Sequence, residues 1–351
     1  MDLSFTNFFI DLIHSPTLII ITVLLLSVVL VNGWTDAPNA IATCVSTRSL
    51  TPKKAILMAA VFNFLGVFVM TLISSTVVET IYNMVDFGNN SSSALIALCA
   101  GLFAIVVWAV LAWVFGIPTS ESHALIAGVS GAAIALQHGL SGINMDAWLK
   151  ILIGLVLSSA TGFIFGYILT KLIERLFKHF DRRRTTHFFK GTQIFGGAAM
   201  AFMHGAQDGQ KFMGIFLMGV CLSNGITSSS SFSIPLWLTI VVSLTMTLGT
   251  SIGGYKIIKT VGLKMTKLEP YQGTCADISS ATALLVSSIL GMPVSTTHTK
   301  TTSIMGVGAS KRLSNVNWKV VKNMALAWIL TFPGCGILGY LATLLFIKLF
   351  A

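Results

Sequence analysis

Two short polar motifs each occur twice in this otherwise apolar chain, and their side chains are of types that bind ions. The first motif places an Asp among Gly, Asn and His residues, at 32–39 and again at 204–211. The second motif is Gly-x-Pro followed by hydroxyl residues and a His, at 116–123 and 291–298. Each Asp precedes its hydroxyl motif by a similar number of residues. This duplication predicts two repeats that share one site between them, as in a transporter.

The composition predicts a membrane protein. The 351 residues are 54% hydrophobic and only 10% charged, whereas soluble chains carry about 25% charged residues. The net charge of +10 does not indicate a nucleic-acid partner, because most Lys and Arg residues lie in short stretches between apolar segments. That pattern is typical of positive cytoplasmic loops. We therefore expect a multi-pass protein of the cell membrane, with the lipid bilayer as its partner. The basic stretches are 48–54, 171–191, 256–267 and 311–322.

Ten apolar segments are candidate membrane spans, since a bilayer core requires about 20 apolar residues per helix. Three of them (17–31, 123–137 and 299–310) are short and abut a polar motif, which predicts broken helices or re-entrant hairpins. We expect an all-α polytopic fold with about 10–12 membrane segments. The candidate spans are 17–31, 55–77, 94–115, 123–137, 148–170, 193–222, 234–253, 274–290, 299–310 and 320–350.

The charges of the loops predict an orientation for each repeat. The basic loops are expected inside, whereas 78–93 and 138–147, which contain no Lys or Arg, are expected outside. An odd number of segments per half forces the two repeats into inverted orientations. The expected division is a first repeat at 1–170, a basic cytoplasmic linker at 171–191 and a second repeat at 192–351. Both termini are then extracytoplasmic.

Asp36 and Asp208 are candidates for an ion site. A lone Asp beside an apolar span is as well explained as a loop residue in headgroup water, but here the Asp is duplicated. Acidic groups inside a membrane are costly and usually mark ion pathways. Neighbouring Gly and Pro residues free backbone groups, which is tolerable only where they line a polar cavity. One broken helix then offers oxygens to a cation and N-terminal amides to an anion.

The hydroxyl motifs are suited to binding an oxyanion. Proline with Ser or Thr makes a good helix start, and capping alone is the simplest interpretation. Three successive hydroxyls exceed what one cap needs, however, and hydroxyls are uncharged donors for a tetrahedral oxyanion. His123 and His298 occupy matching positions and either bond a neighbouring helix or take part directly. The hydroxyl residues are Thr119, Ser120, Ser122, Ser295, Thr296 and Thr297.

The two copies are not equivalent in charge. Lys211 stands where Asn39 stands in the first copy, and Glu121 corresponds to Thr296. A lysine inside a membrane must pair or reach water. The helix around Lys300 is expected to end near water, so Lys211 is the better candidate to balance Asp208 or an anion. Glu121 is either a proton or cation group, or a side chain that faces water.

At these residues the chain resembles the inorganic phosphate transporter (PiT) family. The family has a duplicated Asp-bearing signature, matched at 32–43 (NGWTDAPNAIAT) and 204–211 (HGAQDGQK), and a Gly-x-Pro-x-Ser element, matched at 291–298 (GMPVSTTH). The stretches 62–66 (FNFLG) and 260–273 are also similar to it. The resemblance covers nearly the whole chain.

The resemblance implies a secondary transporter that imports inorganic phosphate by alternating access, in symport with H⁺ or Na⁺ and with no other cofactor. The chain departs from the family signature at Thr35, Gln207, Pro38 and Lys211. Lys211 in place of Asn removes an oxygen that ligates Na⁺ and so favours H⁺. We expect the substrate at Asp36, Asn39, Thr119, Ser120, Asp208, Lys211, Ser295, Thr296 and Thr297. We expect the coupling cation at Asp36, Asp208, Asn32 and Glu121, with Asp36 and Asp208 as candidate Na⁺ ligands.

Other functions stay open at this point. The same fold could carry sulfate or another oxyanion, and an anion channel or a receptor is a further alternative. An enzyme is the weakest interpretation, because the sequence contains no nucleophile–base pair or metal cluster. The five cysteines are an odd number without CxxC spacing, which favours small apolar helix residues over a disulfide framework. A homo-oligomer is a candidate assembly that the sequence does not determine.

Overall fold

The computed structural model describes residues 4–115, 119–225, 234–252, 254 and 258–350. Three parts of the predicted pattern lie outside these residues: 116–118 of the first Gly-x-Pro motif, 253 of the span 234–253, and 256–257 of the basic stretch 256–267.

The described residues are almost entirely helical. One antiparallel β-bridge, between Val85 and Ile143, accompanies the helices in this part of the chain. A π-helix (Ile258–Lys264) and two 3₁₀ turns (Leu140–Gly142 and Leu313–Asn315) join longer elements. The α-helices are α1 (Phe5–His14), α2 (Pro16–Thr35), α3 (Ala37–Ser46), α4 (Pro52–Ile73), α5 (Thr76–Tyr82), α6 (Ser91–Phe115), α7 (Glu121–Leu136), α8 (Met145–Leu176), α9 (Arg182–Ser223), α10 (Leu236–Ile252), α11 (Pro270–Ile289), α12 (Thr296–Lys311) and α13 (Trp318–Phe350).

The surface of the fold is apolar and much of its interior is polar. Val156 and Ile329 are 72% and 66% exposed, while Asp36 and Asp208 are 2% and 1% exposed. This reversal of the soluble pattern indicates a lipid environment. Five described segments are long and apolar enough to cross a membrane, which supports the predicted multi-pass membrane protein. They are Pro16–Ser46, Pro52–Ile73, Ser91–Phe115, Met145–Leu176 and Trp318–Phe350.

The first predicted span was too short at both ends. α2 and α3 run as one segment of 31 residues, interrupted only at Asp36. The Asp36 N–H still bonds the Asn32 carbonyl at 2.9 Å, so the helix continues through the polar motif. Pro38 has no N–H to offer the Trp34 carbonyl, which accounts for the interruption. The Asn39 N–H bonds the Asp36 carbonyl at 3.0 Å, only three residues back, so the break covers the residues around Asp36 and α3 then starts as a new helix.

The span predicted at 193–222 is helical, but the expectation that glycines free backbone groups around Asp208 is wrong. α9 is continuous over 42 residues and passes through Asp208 without interruption. Its glycines serve close packing instead, because a Cβ on Gly205 would lie 2.3 Å from the Asn63 carbonyl oxygen on α4. Small residues of this kind let membrane helices approach closely.

The predicted linker at 171–191 is mostly the ends of two helices. α8 extends to Leu176 and α9 begins at Arg182, so the spans predicted at 148–170 and 193–222 were too short. Asp181 caps α9 by accepting a hydrogen bond from the Arg183 N–H at 3.0 Å. This cap lets the basic run start a helix rather than form a loop.

Two helical hairpins carry the hydroxyl motifs. Hairpin 1 is α6 with α7, and hairpin 2 is α11 with α12. The second helix of each hairpin contains 16 residues. A helix that spans the bilayer core needs about 20 residues. The prediction of short elements beside the hydroxyl motifs is therefore confirmed. The last helix, α13, is unbroken although Pro333 lies inside it.

Elements from the two halves of the chain pack against each other in matching pairs. α13 packs on α7 of hairpin 1, and α8 packs on α12 of hairpin 2. Similarly, α10 packs on α2, and α4 packs on α9. Each half thus completes the packing of the other. Repeat boundaries and inverted orientation stay predictions.

We predict that Gly205→Ala destabilises the fold, because its new Cβ would overlap the Asn63 carbonyl oxygen. Overpacking of this kind costs about 1–3 kcal/mol. The matched control is Gly191→Ala on the same helix, where a Cβ meets nothing within 4 Å. Thermal unfolding of the purified variants measures both. Equal melting temperatures for the two would contradict the close contact between α4 and α9.

Candidate functional site

The two hairpins meet end to end in the interior of the fold. Ser120 and Ser295, the N-cap residues of α7 and α12, have their Oγ atoms 2.8 Å apart. Each hydroxyl also caps its own helix, accepting a hydrogen bond from the N–H of His123 or His298. The N-terminal ends of the two helices therefore converge on one point. Both ends carry partial positive charge and N–H groups that lack an intrahelical partner.

Asp36 lies between these helix ends. Its Oδ1 accepts a hydrogen bond from Thr297 Oγ1 at 2.8 Å, and its Oδ2 accepts one from the Glu121 N–H at 3.3 Å. Asn39 Nδ2 donates to Thr297 Oγ1 at 3.0 Å. One carboxylate of the first Asp motif is thus joined to both hairpins, since Thr297 belongs to α12 and Glu121 to α7.

Asp208 is the second carboxylate of the site and has partners from three elements. Its Oδ2 accepts hydrogen bonds from Asn32 Nδ2 at 3.0 Å and from Thr296 Oγ1 at 3.4 Å. Its Oδ1 lies 2.7 Å from the Lys211 ammonium. His204 Nε2 is 3.4 Å from Oδ2. The second Asp motif is therefore tied to the first through Asn32 and to hairpin 2 through Thr296.

Glu121 is buried, with 2% of its surface exposed, so of its two predicted settings the one facing water is wrong. Thr35 Oγ1 donates to Glu121 Oε1 at 3.2 Å. Among the described residues, Glu121 Oε2, Asn32 Oδ1 and Asn39 Oδ1 are buried oxygens without a hydrogen-bond partner. Buried acceptors are normally satisfied. These three leftover acceptors belong to residues bonded into the network of Asp36 and Asp208, and such acceptors suit a proton or a cation.

The side chains of this site are closed off from solvent. Asp36, Ser120, Asp208, Lys211 and Thr297 are each at most 2% exposed. A ligand therefore reaches the site only when helices or hairpins move.

Thr119 differs from the other predicted site residues. It lines an apolar pocket with Trp108, Leu111 and Phe115. In the part of the chain that the structure describes, no hydrogen bond joins its side chain to the network around Asp36. Its part in substrate binding stays a prediction.

The two motif histidines stack beside the hairpin ends. Their rings are 4.3 Å apart at an angle of 76°. The His298 ring lies 3.7 Å from that of Trp328, and the His123 ring 4.4 Å from that of Phe332, both on α13. His123 Nδ1 is 3.4 Å from the Trp328 carbonyl oxygen. This packing supports the interpretation that the histidines hold the hairpins against a neighbouring helix.

A second buried ion pair lies beside the site, and the expectation that Lys300 is near water is wrong. Lys300 and Asp277 are both 0% exposed and form an ion pair. Thr43 Oγ1 donates to Asp277 Oδ1 at 2.7 Å, and Gln193 Nε2 donates to the other oxygen. Asp277 on α11 provides an internal partner, so the lysine does not need to reach water.

The sequence reasoning missed Asp277, His204 and Asn63. His204 Nδ1 contacts Asn63 Oδ1 at 3.0 Å and so links α9 to α4. The spacing of four residues between His204 and Asp208 is a helical signal that could have identified His204. Asp277 has no such local signal, because its partners come from α12, α3 and α9.

Comparison with known proteins agrees with this geometry. The family model described as "Phosphate transporter family" matches residues 32–339. A probable low-affinity inorganic phosphate transporter of Bacillus subtilis (strain 168) is 39% identical over 329 residues, which cover 93% of this chain and 97% of the relative. A protein of the same description from Rhizobium meliloti (strain 1021) is 37% identical over 310 residues, covering 88% and 90%.

A solved structure has the same fold. The structure titled "The sodium-dependent phosphate transporter" superposes with a TM-score of 0.86, covering 96% of this chain and 100% of the other. At 24% identity this likeness shows the fold alone.

We predict that the Asp277–Lys300 pair stabilises the fold mainly by mutual compensation. Lys300→Met alone leaves the buried Asp277 carboxylate without its cation, and Asp277→Asn alone leaves the buried Lys300 ammonium without its anion. Breaking a buried pair in this way costs about 3–5 kcal/mol of folding free energy. The double variant should lose less than the sum of the two. A double-mutant cycle on thermal unfolding measures the coupling. Lys311→Met is the control, because its pair with Glu269 is exposed and worth about 0–1 kcal/mol. Single variants as stable as this control would refute the prediction.

Proposed function

This chain belongs to the phosphate transporter family, and from that premise we propose that it imports inorganic phosphate by symport with H⁺ or Na⁺. The proposed mechanism is alternating access around the site between the two hairpins. The family establishes phosphate transport as its activity class. The direction, the coupling ion and the residue roles are the proposal.

The observation that carries the proposal is the meeting of two helix N-termini at Ser120 and Ser295, 2.8 Å apart. Helix N-termini attract anions through their dipoles and free N–H groups. The hydroxyls of Ser122, Thr296 and Thr297 and the Lys211 ammonium surround the same point. A tetrahedral oxyanion bound there replaces the direct serine–serine contact with contacts from each helix to its own oxygens.

The two carboxylates favour phosphate over sulfate. Asp36 and Asp208 only accept hydrogen bonds when ionised. Phosphate near neutral pH still carries an O–H that it can donate to a carboxylate, whereas sulfate does not. Sulfate has no proton to donate, so the Asp36 carboxylate, which has no ammonium partner of its own, would repel it.

The same carboxylates explain why a cation must travel with phosphate. Moving one charge through 100 mV is worth about 2.3 kcal/mol, so an anion entering a negative cell interior is driven outward. A proton or Na⁺ at Asp36 cancels the negative charge beside the anion. Asn39 and Glu121, which belong to the same hydrogen-bond network, each keep an unpartnered oxygen for it. Cation and phosphate then each raise the affinity for the other.

The closed site supports alternating access over a channel. Its side chains are almost fully buried, whereas a channel would need a site that is open to water. Both hairpins are held by helices from the opposite half of the chain, α13 on α7 and α8 on α12. Movement of α7 with α13 against α12 with α8 would separate the hairpin ends and open the site to one side of the membrane at a time.

The primary test is uptake of radiolabelled phosphate into proteoliposomes with an imposed pH gradient or Na⁺ gradient, each in turn. We expect accumulation above equilibrium with at least one of them. If neither gradient drives accumulation, or if phosphate moves only down its own gradient, symport with H⁺ or Na⁺ is excluded and a channel is favoured.

We predict that Asp36→Asn lowers cation-driven uptake at least about tenfold, equivalent to about 1.4 kcal/mol. The neutral amide has no negative charge with which to bind a proton or Na⁺. Its NH₂ group would also face the Glu121 N–H or the Thr297 hydroxyl, which both donate to Asp36. Asp146→Asn is the control, because Asp146 is exposed at the start of α8. Full gradient-driven uptake by Asp36→Asn would sink the assigned role.

Competition decides between phosphate and another oxyanion. We expect excess arsenate, which has the same shape and protonation, to inhibit phosphate uptake and excess sulfate to leave it largely unchanged. Inhibition by sulfate equal to that by unlabelled phosphate would favour the alternative of a general oxyanion transporter.

A further inference from the structure

The Lys211 ammonium occupies a fully enclosed position lined by three oxygens of different kinds. Its Nζ lies 2.7 Å from Asp208 Oδ1, 2.7 Å from Ser122 Oγ and 2.5 Å from the Val294 carbonyl oxygen. These atoms come from α9, from the first turn of α7 and from the end of hairpin 2. Lys211 itself is 1% exposed. The ammonium is thus held by the parts of the site that must separate for a ligand to enter.

This set of oxygens is one that an alkali cation also takes. Carboxylate, hydroxyl and main-chain carbonyl oxygens bind hard cations, and transporters use exposed carbonyls near the substrate for Na⁺. An ammonium group carries the same single charge and donates hydrogen bonds to three such acceptors. The three contacts of Lys211 use its full donor capacity.

The corresponding position of the first motif has the opposite character. Asn39 lies three residues after Asp36, as Lys211 lies three residues after Asp208. Asn39 brings no charge, and within the described residues its Oδ1 has no hydrogen-bond partner. Asn39 therefore leaves an acceptor without a partner, while Lys211 places a covalently attached cation on Asp208 Oδ1.

The chain uses the same arrangement once more, outside this site. The Lys300 ammonium contacts a carboxylate of Asp277, the Thr43 hydroxyl at 3.1 Å and the Ala40 carbonyl oxygen at 3.3 Å. Two buried lysines thus each contact a carboxylate, a hydroxyl and a main-chain carbonyl. An ammonium held in this way satisfies a buried carboxylate permanently, without an ion from solution.

We propose that Lys211 is a resident cation: its ammonium fills the place beside Asp208 that a transported Na⁺ would otherwise take. This inference rests on the proposed function and names the residue that sets its coupling ion. The Asp208 half of the site then contributes no transported alkali cation. Only the Asp36 half takes up a proton or Na⁺ with each phosphate.

The inference makes a prediction for the unmodified protein. With one half of the site already filled, phosphate uptake should depend on Na⁺ no more steeply than first order, or not at all. Initial uptake rates in proteoliposomes over a range of Na⁺ concentrations, with choline keeping the ionic strength constant, measure this order. A clearly sigmoidal Na⁺ dependence with Lys211 in place would overturn the inference without any variant.

Two substitutions at Lys211 separate two effects: the loss of the positive charge, and the opening of space for a cation beside Asp208. Lys211→Asn removes the ammonium, leaves space and adds an amide oxygen, so Na⁺ can bind beside Asp208. Lys211→Met removes the charge but fills the space with an apolar side chain. Lys171→Asn, at an exposed position on α8, is the matched lysine control.

The readout is thermal unfolding of the purified full-length proteins in NaCl against choline chloride, because a ligand that binds the folded state raises its melting temperature. We expect Lys211→Asn to be destabilised in choline chloride and restored by NaCl. Lys211→Met should be destabilised in both salts. The unmodified protein and Lys171→Asn should respond equally to NaCl, and less than Lys211→Asn. A Na⁺ response of Lys211→Asn equal to that of the unmodified protein, or an equal rescue of Lys211→Met, would overturn the inference.

Transport by the same proteins keeps the two proposals distinguishable. Where Lys211→Asn retains uptake, we expect its stimulation by Na⁺ to exceed that of the unmodified protein by about tenfold, the effect of one additional bound ion worth about 1.4 kcal/mol. Failure of the unmodified protein to take up phosphate would refute the proposed function. The Na⁺-specific stabilisation of Lys211→Asn does not depend on transport and would still stand or fall separately.

Discussion

The structure depends on one electrostatic constraint: two helix N-termini point at each other inside a membrane protein. Ser120 and Ser295 bring the positive ends of α7 and α12 to within hydrogen-bond distance. Like partial charges at this separation repel, and lipid offers no water to screen them. Asp36 and Asp208 lie beside this junction and compensate it. In the proposed function the same positive junction binds the phosphate anion, so one feature would serve both the fold and transport.

The fixed negative charges of Asp36 and Asp208 must in turn be balanced by cations, either taken up from solution or built into the chain. Two ionised Asp residues next to one anion would be repulsive, and each half of the site relieves this differently. The Asp208 half contains the Lys211 ammonium, while the Asp36 half has Asn39 at the matching position, with an oxygen that has no partner among the described residues. In the proposed symport, at least one positive charge moves together with the phosphate. Under our inference, the difference between Asn39 and Lys211 assigns the mobile cation to the Asp36 half and the permanent one to the Asp208 half.

The interleaved packing explains how such a junction can hold and still move. α7 is held by α13, and α12 by α8, so each hairpin is supported by the opposite half of the chain. Close glycine contacts, such as that of Gly205 with α4, make these helix pairs tight. Few hydrogen bonds cross the junction between the hairpin ends, whereas the contacts between the packed helices are extensive. Separation is therefore expected at the junction between the hairpin ends.

By itself the sequence determined the membrane class, the two polar motifs and most of the residues around the site. These follow from local chemistry: apolar length, charge placement, and residue types that are costly in lipid unless they act on ions. Only the tertiary structure decided that α9 passes unbroken through Asp208, and that Lys300 pairs with Asp277. Both depend on which helix lies alongside: a glycine breaks or packs a helix according to its neighbour, and a buried charge is tolerable only where another element brings its partner. Contacts between residues far apart in the chain leave no periodic pattern in the sequence.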